Sequence, residues 1–262
     1  MPGDDHRLLE LSGLRVSVPG RVLVEGLALQ LCRGEFVAVL GRNGSGKTLT
    51  LLTLAGLRRA EAGSIRLGGE PIAALRRQQV AKRLALLPQD TDDIFPTTVL
   101  DTALVGRHPH IGRLRWESAA DYELARGALA SVGIADLAER DVRSLSGGER
   151  RRLAIAQVLT QAPDVYLLDE PTNHLDPQHQ VDTLQIFRRA ADGGAGVIAS
   201  LHDVNLAARV ADRCLLLFGD GRWEFGATDE VLDEARLEAL FETPMEAVPW
   251  RDRRLFVASG GA

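Results

Sequence analysis

Eight residues, Gly41-Arg42-Asn43-Gly44-Ser45-Gly46-Lys47-Thr48, constrain this chain more than any other feature. They fit the pattern G-x-x-x-x-G-K-[ST]. Glycines let a backbone wrap tightly enough for its N–H groups to point inward at phosphate oxygens. The run Phe36 to Leu40 before the turn is apolar and rich in branched residues, as a buried strand is. From Lys47 to Leu57 the residues favour helix, with Gly56 close to its end. A strand, a glycine-rich turn and a helix in that order set a positive helix N-terminus behind the cradle. The pattern predicts that Lys47 reaches the β- and γ-phosphates of a nucleotide and that the Thr48 hydroxyl serves Mg²⁺. An incidental glycine-rich turn carrying a lysine would lack this flanking context.

Alternation of strands and helices continues downstream. Val165 to Leu168 reads as a strand, and Val181, Leu184, Phe187 and Ala190 mark one face of a helix. Val197 to Leu201 is another strand and Val204 to Ala211 another helix. Such alternation implies a mainly parallel sheet covered on both faces, with ligands at the carboxyl ends of its strands. The first 35 residues read as short alternating segments with turns at Pro19-Gly20 and Arg33-Gly34-Glu35. The stretch from about Phe95 to Gln161 is helical in character: Leu124/Ala125, Ala128/Leu129 and Val132 recur at helical spacing before Gly133, and Leu153 to Leu159 reads as a buried helix.

The strand ending at Leu168 delivers two adjacent carboxylates, Asp169 and Glu170. Asp169 is placed to hold Mg²⁺ through its hydration shell, and Glu170 to orient and polarise an attacking water. A solvated acidic turn at a strand end is the bland alternative, and the upstream cradle favours chemistry. His202 follows the next strand, beside Asp203. A lone histidine is more often structural. At a neighbouring strand end it can donate to the γ-phosphate or to the attacking water.

With 262 residues the chain is long enough for one large α/β domain with a sizeable core. Its net charge of −5 argues against a generally basic nucleic-acid-binding surface. The cluster Arg150-Arg151-Arg152 reads as a solvated helix face. Cys32 and Cys214, far apart in apolar surroundings, read as two buried thiols of a reducing compartment. The first residues carry no apolar stretch of secretory type, and no run approaches the roughly 18 apolar residues of a membrane span. A cytoplasmic protein is expected, with any membrane part supplied by another chain.

Leu145-Ser146-Gly147-Gly148-Glu149 resembles the signature motif of ABC ATPases, between cradle and hydrolytic strand as in that family. It has the logic of an exposed helix N-terminus made approachable by two glycines. Gln89, in Leu87-Pro88-Gln89, resembles the glutamine loop that touches Mg²⁺ and joins the core to the helical subdomain. Leu175-Asp176, after Pro171-Thr172-Asn173-His174, resembles the loop that crosses the dimer interface, and His202 takes the switch-histidine position. The resemblance covers nearly the whole chain. It implies a P-loop NTPase core of α/β class with a mainly parallel sheet, an N-terminal antiparallel β portion and an inserted helical subdomain. One domain is expected over residues 1–262, with 1–94 and 162–262 as core and 95–161 as helical subdomain.

The implied cofactors are ATP and Mg²⁺. The implied catalytic residues are Glu170, His202 and Gln89, and the implied metal-binding residues are Thr48, Gln89 and Asp169. Gly41, Arg42, Asn43, Gly44, Ser45, Gly46, Lys47 and Thr48 would bind one nucleotide, while Ser146, Gly147 and Gly148 would contact the γ-phosphate of an ATP held by a second copy. Further partners implied are two transmembrane permease subunits and, indirectly, a substrate-binding protein, on the cytoplasmic face of the membrane. No nucleic-acid partner is expected. One departure stands out: the family offers an aromatic ring near the start for adenine, and Val16-Ser17-Val18-Pro19-Gly20-Arg21 has none, with Val18 in that place.

Thr98 to His110, Asn173-His174-Leu175-Asp176-Pro177 with His179-Gln180, and the tail from Val231 to Phe241 resemble importer subunits for iron chelates, haem and cobalamin. His108 and His110 lack a nearby ligand set and read as surface groups rather than a metal site. Asp90, Asp92, Asp93, Ile94 and Phe95 would lie near the docking helix of the membrane partner. A soluble ATPase of iron–sulfur cluster assembly and an exporter subunit are the alternatives.

Overall fold

A computed structural model describes residues 6–89, 96–112, 115–251 and 253–259. The expected docking segment Asp90, Asp92, Asp93, Ile94 and Phe95 lies outside the described residues. The N-terminal segments are longer than their turn signals suggest. Strands β1 (Arg7–Val18) and β2 (Arg21–Cys32) form one antiparallel hairpin around Pro19-Gly20. Register shifts along the hairpin interrupt the strict alternation, which explains why it reads in short pieces. Strands β4 (Ala62–Leu67) and β5 (Glu70–Pro71) complete a four-stranded sheet in the order β2-β1-β4-β5.

The central sheet is built from β3 (Phe36–Leu40), β6 (Leu84–Leu87), β7 (Val165–Asp169), β8 (Gly196–Ser200), β9 (Arg213–Leu217) and β10 (Trp223–Ala227). Their order is β10-β9-β3-β8-β7-β6. Every neighbouring pair is parallel except β9 with the edge strand β10. All five residues of β3, β7 and β8 are buried, as a sheet covered on both faces requires.

Period-two alternation divides those strands between two cores. Val37, Val39, Val165, Leu167, Ile198, Leu215 and Leu217 face a core shared with the β1–β2 hairpin and with helix α1 (Lys47–Leu54), which ends sooner than its sequence suggests. Phe36, Ala38, Leu40, Tyr166, Leu168, Val197, Ala199 and Leu216 face the other core. There they meet α3 (Val99–Leu104), α4 (Ala119–Ser131), α5 (Gly147–Gln161), α6 (Pro177–Asp192) and α7 (Val204–Val210). A short helix α2 (Arg77–Arg83) leads into β6. After β10 come α8 (Thr228–Val231), α9 (Glu234–Phe241) and a terminal hairpin of β11 (Met245–Trp250) and β12 (Arg253–Ala258).

The apolar spacing before Gly133 does lie on a helix, α4, with Ala125 and Leu129 fully buried and Leu124 exposed beside them. One expectation about the core needs correction. Cys214 is buried, whereas Cys32 at the end of β2 is half-buried; both are free thiols. Burial pushes the Cys214 thiol up to about 11.

Candidate active site

Gly41 opens the cradle with a φ of 158°, and a Cβ there would stand 2.5 Å from the Leu217 carbonyl oxygen and from Ser45 Oγ. Gly46 caps α1 in the left-handed region at φ 103°, and no side chain caps its open N–H groups. Two features suit this loop to a phosphate chain. Lys47 is buried, yet its ammonium only turns back on the carbonyls of Gly41 at 2.9 Å and Arg42 at 3.4 Å. The buried Ser45 hydroxyl has no hydrogen-bond partner among the described residues. Burial lowers the Lys47 pKa below the ordinary lysine value, while Glu170 and Asp169 act to raise it. Arg42 turns away and pairs with Glu242, just beyond α9.

The second wall is built by the ends of β7 and β8, which the sheet places side by side with Asp169 opposite Ser200. Asp169 is 2% exposed and Glu170 6%. The fully buried Ser200 hydroxyl donates to Asp169 Oδ1 at 2.7 Å and accepts from the Glu170 N–H at 2.9 Å. Glu170 itself sits at φ 48°, a left-handed conformation that few non-glycine residues adopt outside constrained sites. Asn173 Nδ2 donates to one oxygen of its carboxylate, and His202 Nε2 lies against the other.

Arg151 fastens these parts together. It is only 5% exposed, against the expectation of a solvated basic face. Its guanidinium donates to the carbonyls of Pro88 at 2.7 Å, Gln89 at 3.0 Å, Asp169 at 2.8 Å and Glu170 at 2.7 Å. The helix whose N-terminus is Ser146 is thereby bolted to the ends of β6 and β7. Arg150 and Arg152 are bound nearer the surface, to the carbonyls of Arg143 and Gly133. The signal was present in the sequence: Arg151, Ile155 and Val158 form one buried helical stripe on α5.

A cleft of about 640 Å³ joins the cradle to this wall. Asn43, Gly44, Gly46, Lys47, Thr48, Gln89, Glu170 and His202 line it, so most of the expected site residues converge there. Asp169 is buried behind them, and Val18, Arg21, Leu23, Leu49 and Asn173 complete the lining. Ser146, Gly147 and Gly148 do not contribute to it. Ser146 caps α5 in a reciprocal capping box with Glu149, and both Ser146 and Gly147 are exposed. His108 is exposed, and His110 meets the Gln161 carbonyl at 2.9 Å.

The family model described as ABC transporter matches residues 24–173. The hemin import ATP-binding protein HmuV of Gloeobacter violaceus is 41% identical over 241 residues, covering 89% of this chain and 87% of that protein. The cobalamin import ATP-binding protein BtuD of Halobacterium salinarum is 39% identical over 236 residues, covering 89% of this chain; the match spans only 58% of that longer protein. Among solved structures, a metal-chelate type ABC transporter in an inward-facing conformation superimposes with a TM-score of 0.83 at 29% identity, covering 97% of this chain and 98% of that one.

Proposed function

The chain belongs to the ABC transporter family, and from that premise we propose that it is the ATP-binding, ATP-hydrolysing subunit of an importer for a metal chelate. The observation that carries this reading is the convergence of Lys47, Thr48, Gln89, Glu170 and His202 on one cleft. Gly41 to Thr48 hold the β- and γ-phosphates through backbone N–H groups and the Lys47 ammonium. Thr48, Gln89 and Asp169 offer a hydroxyl, an amide and a carboxylate, the hard oxygen donors that Mg²⁺ prefers, and they would hold that ion. When bound, Mg²⁺ neutralises charge on the phosphate oxygens.

Glu170 is the general base that orients water toward the γ-phosphate. Its two carboxylate oxygens are engaged by Asn173 and His202 in this conformation. Each oxygen keeps a second lone pair, so Glu170 can accept from water while these partners hold its orientation. His202, on the solvent side and with 43% of its side chain exposed, is the freer of the two. It turns to the γ-phosphate as the site closes.

The site closes with a second copy. Ser146, Gly147 and Gly148 lie outside the chain's own cleft, and their helix N-terminus suits an anion presented by another protomer. Two chains head to tail, related by a two-fold axis, make two equal sites. Two membrane subunits receive the motion, and a substrate-binding protein delivers the cargo from the far side. No helix among the described residues is long and apolar enough to cross a membrane. Docked on its membrane subunits, the chain sits at the cytoplasmic face. The cargo class is a metal chelate: haem, ferric siderophore or cobalamin.

Mixing two disabled chains tests the two-chain site. Ser146→Arg should still bind ATP in its own cradle but spoil the partner's site. Combined with Glu170→Gln, it should give heterodimers with one doubly damaged site and one intact site. The ATPase rate should then pass through a maximum as the mixing ratio is varied in the presence of the membrane partner. Activity that is first order in isolated monomer, with no dimer detectable in ATP, would overturn the arrangement.

A further inference from the structure

The cleft extends beyond the cradle to the tip of the β1–β2 hairpin, where a base attached to the phosphates would lie. This part rests on the reading of the cradle as a nucleotide site. No phenyl, phenol or indole ring lines the cleft among the described residues. The tip offers instead two directly paired residues, Val18 and Arg21, on either side of the two-residue turn Pro19-Gly20. Opposed residues on an antiparallel pair hold their side chains about 5 Å apart on one face. Val18 is 37% exposed and Arg21 is exposed, and both line the cleft beside the buried Leu23.

The Arg21 head is held in place. Its Nε donates to the Gly219 carbonyl at 2.9 Å. The turn carrying Gly219 presses on the cradle, since a Cβ on Gly219 would stand 2.9 Å from Ser45 Cα and 3.1 Å from Arg21 Nη2. The hairpin tip is tied down from the other side, where Arg58 Nη2 donates to the Ser17 carbonyl at 2.6 Å and Ser17 Oγ donates to Glu61 at 2.5 Å. Arg21 thus presents a planar cation whose orientation is set before any ligand arrives.

We propose that Arg21 and Val18 hold the purine base, with the Arg21 guanidinium as its stacking partner over an apolar floor, and that the site accepts guanine as well as adenine. A guanidinium stacks on aromatic faces without regard to which purine it meets. Its hydrogen-bonding groups are donors only. Guanine offers two adjacent acceptors, O6 and N7, where adenine pairs one acceptor with a donor, so the arginine gives adenine no advantage.

Equilibrium competition against a fluorescent ATP analogue, with the full chain and Mg²⁺, tests this using three probes: ATP, GTP and tripolyphosphate, which has no base. ATP and GTP should bind within about tenfold of each other. Arg21→Ala should weaken both by about two- to thirtyfold while tripolyphosphate stays within about twofold. Val18→Tyr, at an exposed position, should tighten ATP and GTP and leave tripolyphosphate alone. GTP binding more than about a hundredfold weaker than ATP would overturn the breadth of the site. Equal weakening of tripolyphosphate in Arg21→Ala, or unchanged ATP affinity in both variants, would overturn the base contact. Failure of the cradle reading looks different: tripolyphosphate would then bind Lys47→Ala as well as the parent.

Discussion

Around the carboxylate wall beside the cradle, polar groups are buried and cross-linked within the chain, whereas at the N-terminus of α5 they are exposed. Lys47, Asp169, Glu170 and Ser200 are each no more than 6% exposed, and Ser200 cross-links the two carboxylate residues. Ser146 and Gly147 are exposed, and the Ser146–Glu149 capping box engages only the backbone N–H groups of Ser146 and Glu149. A buried charge is costly unless its partners are fixed, so the cradle side must be assembled during folding. An exposed terminus has no such need and is free to serve another molecule. On the proposed function, the difference means that one chain carries a preorganised phosphate and base-catalysis wall, together with a helix terminus offered to its partner.

The most severe way to break the cradle side is Glu170→Gln, which keeps the shape and removes the proposed proton acceptor. Turnover should fall by roughly 10²–10⁴-fold while ATP still binds. Near-normal steady-state hydrolysis in that variant would remove Glu170 from the chemistry.

Lys47 sharpens the contrast through pH. Burial holds its pKa below the ordinary value of 10.5, and the charged form is the one that attracts phosphate. Nucleotide affinity should therefore fall as pH rises through that lowered value, before pH 10.5 is reached, and Lys47→Ala should be weak at every pH. Affinity that stays level up to pH 10.5 would show that burial does not govern this group.

Arg151 links the two regions, so its removal should be felt as stability. Arg151→Ala leaves the carbonyls of Pro88, Gln89, Asp169 and Glu170 without their shared donor. A loss of about 2–4 kcal/mol in urea unfolding is expected. A loss like that of a surface arginine would mean that the bolt carries no load.

The smallest effect belongs to the helical side away from the site. Asp121 accepts from the Ser118 hydroxyl and backbone at the start of α4 and pairs with Arg107, which together lower its pKa from 3.8 to about 2. A depressed carboxylate stabilises the fold above its unfolded value and loses that effect as pH falls through its folded value. Asp121→Asn should cost about 1 kcal/mol near neutral pH. The gap from the parent should close as pH falls from 3.8 toward 2. A gap independent of pH would assign the effect to helix capping without charge.

Much of the site was legible because its parts are contiguous. The strand at Phe36–Leu40, the glycine turn and the helix from Lys47 appear in the order that the motif implies. Asp169-Glu170 and His202 stand at strand ends because apolar runs of strand length precede them. Arg151 was misjudged because its neighbours Arg150 and Arg152 suggested a charged surface, although its helical phase agreed with Ile155 and Val158.

What the sequence determined by itself is the set of local devices: a phosphate-wrapping turn, two carboxylates at a strand tip, and a glycine-softened helix start. Each depends on residues within one or two turns of chain, where backbone geometry follows directly from residue type. What only the tertiary structure decided is which of these devices share a cleft. Ser200 reaches Asp169 and Glu170 because β8 pairs with β7 in one parallel register, and that register is set by crossovers and by burial on both faces of the sheet. Arg21 meets the cradle through Gly219, a residue far along the chain, and the α5 terminus does not line the chain's own cleft. Such pairings arise from packing between distant segments, whose free energy is spread over the whole core and leaves no local mark in the residues it joins.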